Sequence, residues 1–264
     1  MKIAPILIGT LMGTALASSG CSGSSPSAPP DSFVHSLTET ASAGRLTSRP
    51  VATPTESIGT GLHHLYLGVD TGRDGSIYVP QSYRPGHPAP LLLFFHGNRG
   101  DKTQVLELWQ AYSEHTGTIL LLPESRKRSW DRILDKAFGP DLVFVDQALK
   151  LTFAALSIDT KHMAVAGFSD GASYALSLGQ TNGDLFTHIA AFSPGESAPM
   201  TRVGHPPVFI MHGIEDDILD INETSRKIVP ELSADGYNVT YGEFHGQHLV
   251  IDEEKDKFFK WFLN

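Results

Sequence analysis

Short apolar runs that alternate with helix-like segments constrain the fold of this chain more than any other feature. Turn residues flank these runs, which cover residues 62–69, 77–79, 91–96, 118–122, 163–168, 189–192, 208–211 and 238–244. Several of the runs are apolar without a break, which is typical of strands that are buried on both faces of a parallel sheet. We therefore expect a central sheet with most of its strands parallel.

Helix-like periodicity separates the apolar runs. Between residues 142 and 156, apolar side chains recur every three or four positions and form one stripe. Similar segments cover residues 102–115, 172–179, 224–234 and 253–262. The alternation predicts an α/β domain over residues 58–264, with helices on both faces of a mostly parallel sheet. The connection at residues 193–207 is short, so we expect no cap domain.

Composition excludes several classes of protein. The chain has 264 residues, of which 41% are hydrophobic and 19% are charged, and this argues against a disordered chain. Acidic residues outnumber basic ones, 29 to 20, so we expect no nucleic-acid partner, because phosphate neutralisation needs clustered Lys and Arg. The single cysteine, Cys21, permits neither an internal disulfide nor a zinc site built from paired cysteines.

The N-terminal residues are typical of an export signal. A lysine at position 2 precedes an apolar run at residues 3–11, which is too short to remain as a membrane anchor. Residues 15–17, Ala-Leu-Ala, fit the small-x-small pattern of secretory cleavage sites. We therefore predict a signal peptide over residues 1–20 and a location outside the cytoplasm: periplasmic, secreted or anchored by lipid at the envelope.

Cys21 stands where a bacterial lipoprotein signal places its lipidated cysteine. Small residues precede it, although Ser18 occupies the position that usually holds Leu. The Ser-, Gly- and Pro-rich composition after it predicts a flexible tether over residues 21–57. Two interpretations are possible at this point. Cys21 carries a lipid, which would be the protein's one contact with a membrane, or the protein is simply secreted with an unmodified cysteine.

A serine lies in a Gly-x-Ser-x-Gly motif between a predicted strand and a predicted helix. Gly167 and Gly171 flank Ser169 at the two positions that a sharp strand-to-helix turn crowds. Such a turn exposes the serine hydroxyl above the sheet, and the N-terminal N–H groups of the following helix favour negative charge there. Ser169 is therefore the candidate nucleophile.

A serine nucleophile needs a histidine as base and a carboxylic acid to orient that histidine. When the serine lies in a Gly-x-Ser-x-Gly turn, the acid comes next in the sequence and the histidine follows it. An acidic turn follows the run at residues 208–211 and offers Asp216, with Asp217 and Asp220 as alternatives. Near the C-terminus, His248 is the candidate base and His245 its competitor.

Two other interpretations concern the same acidic turn. His212, at its start, is predicted to be structural, with its ring bonded to the backbone of the loop. A metal site built from the acids and nearby histidines is the alternative to a catalytic acid, but an acidic turn is more often solvated. We expect no metal.

These motifs together resemble the α/β-hydrolase superfamily, in particular its small bacterial esterases of the phospholipase/carboxylesterase and polyhydroxybutyrate-depolymerase-like kind. The resemblance covers roughly residues 58–264. It rests on four motifs: His96-Gly97, the turn at Ser169, His212-Gly213-x-x-Asp216, and Gly246-x-His248. It implies the α/β-hydrolase fold, with Asp216 as the catalytic acid and His248 as the base.

The oxyanion of an acyl-transfer intermediate needs N–H donors. We expect the backbone N–H of Asp170 to be one donor, and the resemblance gives Asn98 as the second, with Arg99 as the alternative. Asp170 departs from the residues that usually follow the serine in the family. Arg99 is a candidate to bind substrate or to pair with Asp170; otherwise it is an exposed loop residue.

Trp130 lies in the long connection at residues 123–139. Related esterases carry a similar Trp-Asp pair near the acyl pocket, so Trp130 is a candidate wall of that pocket. The alternative is a tryptophan that anchors a basic loop.

The sequence thus predicts an exported serine esterase that uses Ser169, Asp216 and His248 and forms an acyl-enzyme without metal or cofactor. Its expected substrates are small-molecule or polymeric esters with short-acyl, aryl or polymer-borne groups. The alternatives are a peptidase or acyltransferase on the same fold, or a surface-tethered binding protein without catalysis.

Overall fold

The computed structural model describes residues 43–67 and 73–264. Eight strands in this part of the chain form one sheet, in the order β1-β2-β4-β3-β5-β6-β7-β8. The strands are β1 (Gly61–His64), β2 (Ser76–Val79), β3 (Ala89–Phe95), β4 (Ile119–Leu122), β5 (Ile158–Phe168), β6 (His188–Phe192), β7 (Val208–Gly213) and β8 (Val239–Phe244). Every predicted strand is therefore present, although β1 is shorter than predicted.

Helices connect these strands. They are α1 (Lys102–Thr116), α2 (Asp131–Leu134), α3 (Pro140–Ala155), α4 (Asp170–Thr181), α5 (Ser225–Ala234) and α6 (Asp252–Phe262). Each predicted helix is present, and α2 is an additional short helix that the sequence did not predict. The connection at residues 193–207 is irregular and contains no helix.

The sheet is parallel from β4 to β8 and antiparallel only at the edge formed by β1 and β2. Leu91, Leu93 and Phe95 of β3 pack into the core on one face, and Leu92 and Phe94 pack into the core on the other. Both faces of β3 are buried, which explains its unbroken apolar run. The predicted mostly parallel α/β sheet is confirmed.

The packed part of the chain begins before the predicted boundary at residue 58. Leu46 is only 2% exposed and belongs to the main core, and its N–H donates to the side chain of Asn182 at 2.8 Å. The backbone N–H of Thr47 donates to Asp146 of α3 at 2.9 Å, and Arg45 pairs with Asp184 at 2.8 Å. Residues 44–50, which we call the N-terminal strap, therefore lie on the domain rather than forming part of a free tether.

The predicted signal peptide and Cys21 lie outside the described residues. Within residues 43–67 and 73–264, every helix is too short or too polar to serve as a membrane span.

Candidate active site

The turn after β5 gives Ser169 an unusual backbone conformation. Its φ is 57° and its ψ is −121°, a left-handed region that non-glycine residues rarely adopt. A Cβ atom on Gly167 would lie 2.3 Å from the backbone of Gly171, and one on Gly171 would lie 2.2 Å from the carbonyl oxygen of Phe95. Only glycine fits at these two positions, as the motif predicted.

Two hydrogen bonds join the three side chains that the sequence singled out. The hydroxyl of Ser169 donates to His248 Nε2 at 2.8 Å, and His248 Nδ1 donates to Asp216 Oδ2 at 2.6 Å. The side chain of His248 is 13% exposed, so the site opens to solvent. The three residues come from the loops after β5, β7 and β8, at the carboxyl edge of the sheet.

Asp216 is held by several donors. Its Oδ1 atom accepts hydrogen bonds from the backbone N–H groups of Ile218 at 3.0 Å and Leu219 at 2.8 Å. Burial opposes ionisation of this carboxyl, but those N–H groups and His248 outweigh it and lower its pKa. Asp216 is therefore a fixed anion beneath the imidazole of His248.

His212 also contacts Asp216. Its Nε2 atom lies 3.0 Å from the carbonyl oxygen of Leu219 and 3.1 Å from Asp216 Oδ2, and both are acceptors. The hydroxyl of Ser225 donates to its Nδ1 atom at 2.7 Å. Burial lowers the pKa of His212, so the ring is neutral and carries its proton on Nε2. The contact with the loop backbone was predicted; the contact with Asp216 was not.

The alternative acids and base lie apart from this constellation. Asp217 and Asp220 are exposed, and Asp220 accepts from Asn222 within its own turn. The side chain of His245 is 87% exposed and faces Glu215 at 3.6 Å. Across the described residues, no three His, Cys, Asp or Glu side chains are grouped so that they could hold a metal ion.

Two backbone N–H groups beside Ser169 are free to bind an anion. Within the described chain, the N–H of Asn98 has no backbone acceptor. The N–H of Asp170 lies in the first turn of α4, where N–H groups have no acceptor within the helix. The N–H of Arg99 instead donates to the carbonyl of Arg128 at 2.6 Å. A Cβ on Gly97 would lie 3.4 Å from Ser169 Cβ, which places this loop against the serine. Of the two predicted loop donors, Asn98 is therefore the available one.

Trp130 does not form a wall of the site. Its side chain is fully buried, it donates from Nε1 to the carbonyl of His96 at 2.9 Å, and it stacks on Tyr174 at 5.0 Å between ring centres. The predicted substrate contact is wrong for this residue, because no part of the ring reaches solvent. These contacts agree with the alternative interpretation, in which Trp130 anchors the loop.

His96 fixes the loop that carries Asn98. Its Nδ1 atom donates to the carbonyl of Gly97 at 2.6 Å, and its Nε2 atom accepts from the N–H of Ser125 at 3.0 Å. Burial lowers the pKa of His96 to about 4, so the ring stays neutral in these roles. The loop after β3 is thus tied to the connection between β4 and α3.

Asp170 is bound by a residue that the sequence analysis missed. Its Oδ2 atom accepts a hydrogen bond from the hydroxyl of Ser129 at 2.6 Å, and it forms no ion pair with Arg99 in the described chain. The carboxylate is therefore held toward the loop at residues 125–130. The acid at position 170 is unusual after the serine and indicated that its carboxylate needs a partner. The sequence did not show which side chain would bind it.

Several solved structures superpose on this one. S-formylglutathione hydrolase FrmB from Staphylococcus aureus matches with a TM-score of 0.62 and 14% identity, over 78% of this chain and 99% of that chain. The Bacillus cereus carboxylesterase matches with a TM-score of 0.57 and 19% identity, over 75% and 96%. The protein has the α/β-hydrolase fold.

Sequence comparison adds two curated relatives of this chain. A probable feruloyl esterase C from Aspergillus clavatus is 25% identical over 63% of this chain and 61% of its own length. NocK of Nocardia uniformis subsp. tsuyamanensis, which is described as an esterase, is 26% identical over 80% of this chain and 64% of its own. The chain spans less than two thirds of the length of each relative. No protein-family model matches it.

Proposed function

We propose that this protein is a serine hydrolase that cleaves carboxylic esters through an acyl-enzyme. The observation that carries the proposal is the run of hydrogen bonds from Ser169 to His248, at 2.8 Å, and from His248 to Asp216, at 2.6 Å. A serine hydroxyl is a weak nucleophile until a base takes its proton, and this geometry supplies such a base. Both curated relatives are described as esterases, which supports ester hydrolysis over other reactions.

The first half of the proposed reaction forms the acyl-enzyme. Ser169 Oγ attacks the carbonyl carbon of the ester while His248 Nε2 takes its proton. Asp216 holds the imidazole with its Nδ1 proton facing the carboxylate and stabilises the imidazolium that forms. The free N–H groups of Asn98 and Asp170 bind the oxyanion of the tetrahedral intermediate. His248 then gives its proton to the leaving alcohol.

In the second half, water replaces the alcohol. His248 takes a proton from water, the hydroxide attacks the acyl carbon, and the carboxylic acid leaves as Ser169 regains its proton. Every step uses side chains and backbone groups of this chain, and the proposal invokes neither a metal nor a cofactor.

The expected substrates are esters that can reach an open site. The irregular connection at residues 193–207 carries no helix that could cover Ser169, which favours short-acyl, aryl or polymer-borne esters. The name of the Aspergillus relative, a feruloyl esterase, supports the aryl class. A polyhydroxybutyrate-like polyester remains a prediction within the polymer-borne class.

We also propose that the protein is exported. The support is the sequence of residues 1–20 and the position of Cys21 directly after it, where a lipid would be attached.

Replacing Ser169 with alanine tests the proposed function. Ser169→Ala should lower the turnover of p-nitrophenyl acetate and butyrate at least ~10⁴-fold, because the nucleophile is lost while the fold remains. The unmodified protein should react with a fluorophosphonate probe, and the variant should not. Ser233→Ala, an exposed serine on α5, serves as the control and should keep full activity. Retained ester turnover in Ser169→Ala would refute the assignment, and faster cleavage of amides than esters would favour a peptidase.

A further inference from the structure

Two arginines beside the proposed active site lack the partners that all other arginines in the described chain have. The guanidinium groups of eight arginines bind carboxylates or carbonyl oxygens. They are Arg45, Arg49, Arg73, Arg84, Arg126, Arg132, Arg202 and Arg226. The side chains of Arg99 and Arg128 are exposed and contact no acceptor in the part of the chain that the structure describes.

These two arginines are neighbours in space. The N–H of Arg99 donates to the carbonyl oxygen of Arg128 at 2.6 Å, so their backbones are in direct contact. The N–H of Asn98, proposed to bind the oxyanion, belongs to the residue before Arg99. Ser129, the residue after Arg128, holds the carboxylate of Asp170 at 2.6 Å. The backbones that carry these two cations are therefore held one residue from Asn98 and Ser129, next to the Ser169 site.

The backbone of Arg99, like that of Ser169, has a positive φ angle. Its φ is 59°, in the left-handed region that favours glycine, and the hydrogen bond to Arg128 fixes it there. Any residue with a Cβ atom is strained at such a φ, and strained residues of this kind cluster at ligand-binding sites.

The ion pairs of this region do not include these two cations. Lys127 pairs with Asp135 at 2.8 Å and Lys136 pairs with Glu196 at 3.2 Å, whereas neither arginine has a carboxylate within ion-pair distance in the described chain. Asp170 forms no ion pair with either arginine. The chain has a formal net charge of −9, which makes two unpaired guanidinium groups at one edge of the site a local exception.

We propose that Arg99 and Arg128 bind a carboxylate carried by the ester substrate, so that the enzyme prefers esters with a negative charge near the scissile bond. The inference rests on the proposed ester hydrolysis and adds the class of substrate. A guanidinium presents parallel N–H donors that match the two oxygens of a carboxylate. Such a group anchors one end of the substrate while Ser169 attacks its ester carbonyl.

Matched substrates test the proposal. 4-Nitrophenyl hydrogen adipate carries the charge on the acyl side, and 4-nitrophenyl methyl adipate is its neutral counterpart. 4-Acetoxybenzoate and its methyl ester form the same pair on the alcohol side. We expect a higher kcat/KM for the charged member of at least one pair, through a lower KM, and we expect added salt to reduce this preference.

The preference should depend on the two arginines. Arg128→Gln and Arg99→Gln should each lower the ratio of kcat/KM for the charged ester to that for the neutral ester about tenfold. Arg128→Lys should retain part of the preference, because it keeps the charge but loses the paired donors. Arg84→Gln is the matched control, since Arg84 is exposed and follows β2 at the opposite end of the sheet. It should leave the ratio unchanged.

A second measurement separates failure of this inference from failure of the proposed function. Ser169→Ala cannot form an acyl-enzyme, so NMR titration with the two adipate esters measures binding alone. If the protein cleaves no ester but Ser169→Ala binds the charged adipate in an Arg128-dependent way, the anion site stands and the esterase assignment fails. If neutral and charged esters are cleaved and bound equally well, and Arg128→Gln changes neither, the carboxylate site is overturned.

Discussion

Asp170 places a negative charge beside the N–H group that is proposed to stabilise another negative charge. The hydroxyl of Ser129 binds this carboxylate at 2.6 Å and turns it toward the loop at residues 125–130. In the same loop, the carbonyl oxygen of Arg128 accepts a hydrogen bond from the N–H of Arg99, and Nε1 of Trp130 donates to the carbonyl oxygen of His96. At the scale of single residues, we therefore expect Ser129 to position Asp170, whose N–H is one of the two proposed oxyanion donors.

Removing the hydroxyl of Ser129 should impair the reaction rather than substrate binding. We expect Ser129→Ala to lower kcat for p-nitrophenyl acetate about tenfold with little change in KM, because the freed carboxylate opposes charge that develops only in the transition state. A boronic acid that mimics the tetrahedral intermediate should bind correspondingly more weakly. Steady-state kinetics and inhibition constants measure both effects.

Two further variants distinguish positioning from loss of structure. Ser129→Thr keeps the hydroxyl and should restore kcat, and Asp170→Asn in the Ser129→Ala background should recover part of it by removing the charge. If Ser129→Ala raised KM alone, or if neither second variant restored kcat, this account of Ser129 would fail.

Residues that belong to a motif were predictable from the sequence even when they lie far apart, and partners without a motif were not. The glycines around Ser169 and the order of acid and histidine are motifs with a steric or chemical cause. The partner of Asp170 lies 41 positions away, and the burial of Trp130 depends on packing against Tyr174. No spacing rule connects such pairs, so the sequence could assign neither.

At the scale of secondary-structure elements, α6 carries a buried acid that is not part of the site. Glu254 is 1% exposed, and within the described chain neither oxygen of its carboxyl group has a hydrogen-bond partner. Burial raises the pKa of Glu254 to about 7. This carboxyl therefore holds its proton in the folded protein at pH values where the unfolded chain has released it.

The sign of the pH effect follows from this difference. With an unfolded pKa of about 4.3, the folded state binds more protons between about pH 4.3 and 7, so the free energy of unfolding falls as pH rises through that range. Glu254→Gln removes the titrating group and should raise the free energy of unfolding by about 2–3 kcal/mol at pH 8, with little change at pH 4.5.

Urea denaturation at the two pH values measures this effect. The neighbouring Glu253, whose side chain is 69% exposed, provides the control, and Glu253→Gln should change the free energy of unfolding little at either pH. An equal shift in Glu254→Gln at pH 4.5 and 8 would show that ionisation of Glu254 is not the cause.

Elements with a strong apolar pattern were predicted, and those held by polar contacts were not. The strands β3, β4, β6 and β7 are mostly buried and apolar, so their runs are visible in the sequence. The helix α2 has only four residues, too few to show a period. The N-terminal strap has one core residue, Leu46, among polar neighbours, and its other contacts are hydrogen bonds and ion pairs to α3 and the end of α4. Composition alone made it resemble a linker.

At the scale of the whole molecule, the proposed export can be measured directly. If the protein is lipidated, the mature chain should begin at Cys21 and carry the added mass of acyl chains; if it is simply secreted, it should begin near residue 18 without that mass. Mass spectrometry of protein from the culture medium and from membranes distinguishes these products. An intact Met1 on cytoplasmic protein would contradict export.

The position of the N-terminal strap determines where on the domain an anchor at Cys21 would be attached. The helix α4 starts beside Ser169 and ends at Thr181, about 18 Å away, and Gly44 lies against that far end through Asn182. The chain from Cys21 thus joins the described domain at the end of α4 that lies away from the reactive serine, and the 23 positions from Cys21 to Gly44 can span at most ~75 Å. A lipid at that cysteine would therefore leave the edge of the sheet that carries Ser169 free of the attachment point.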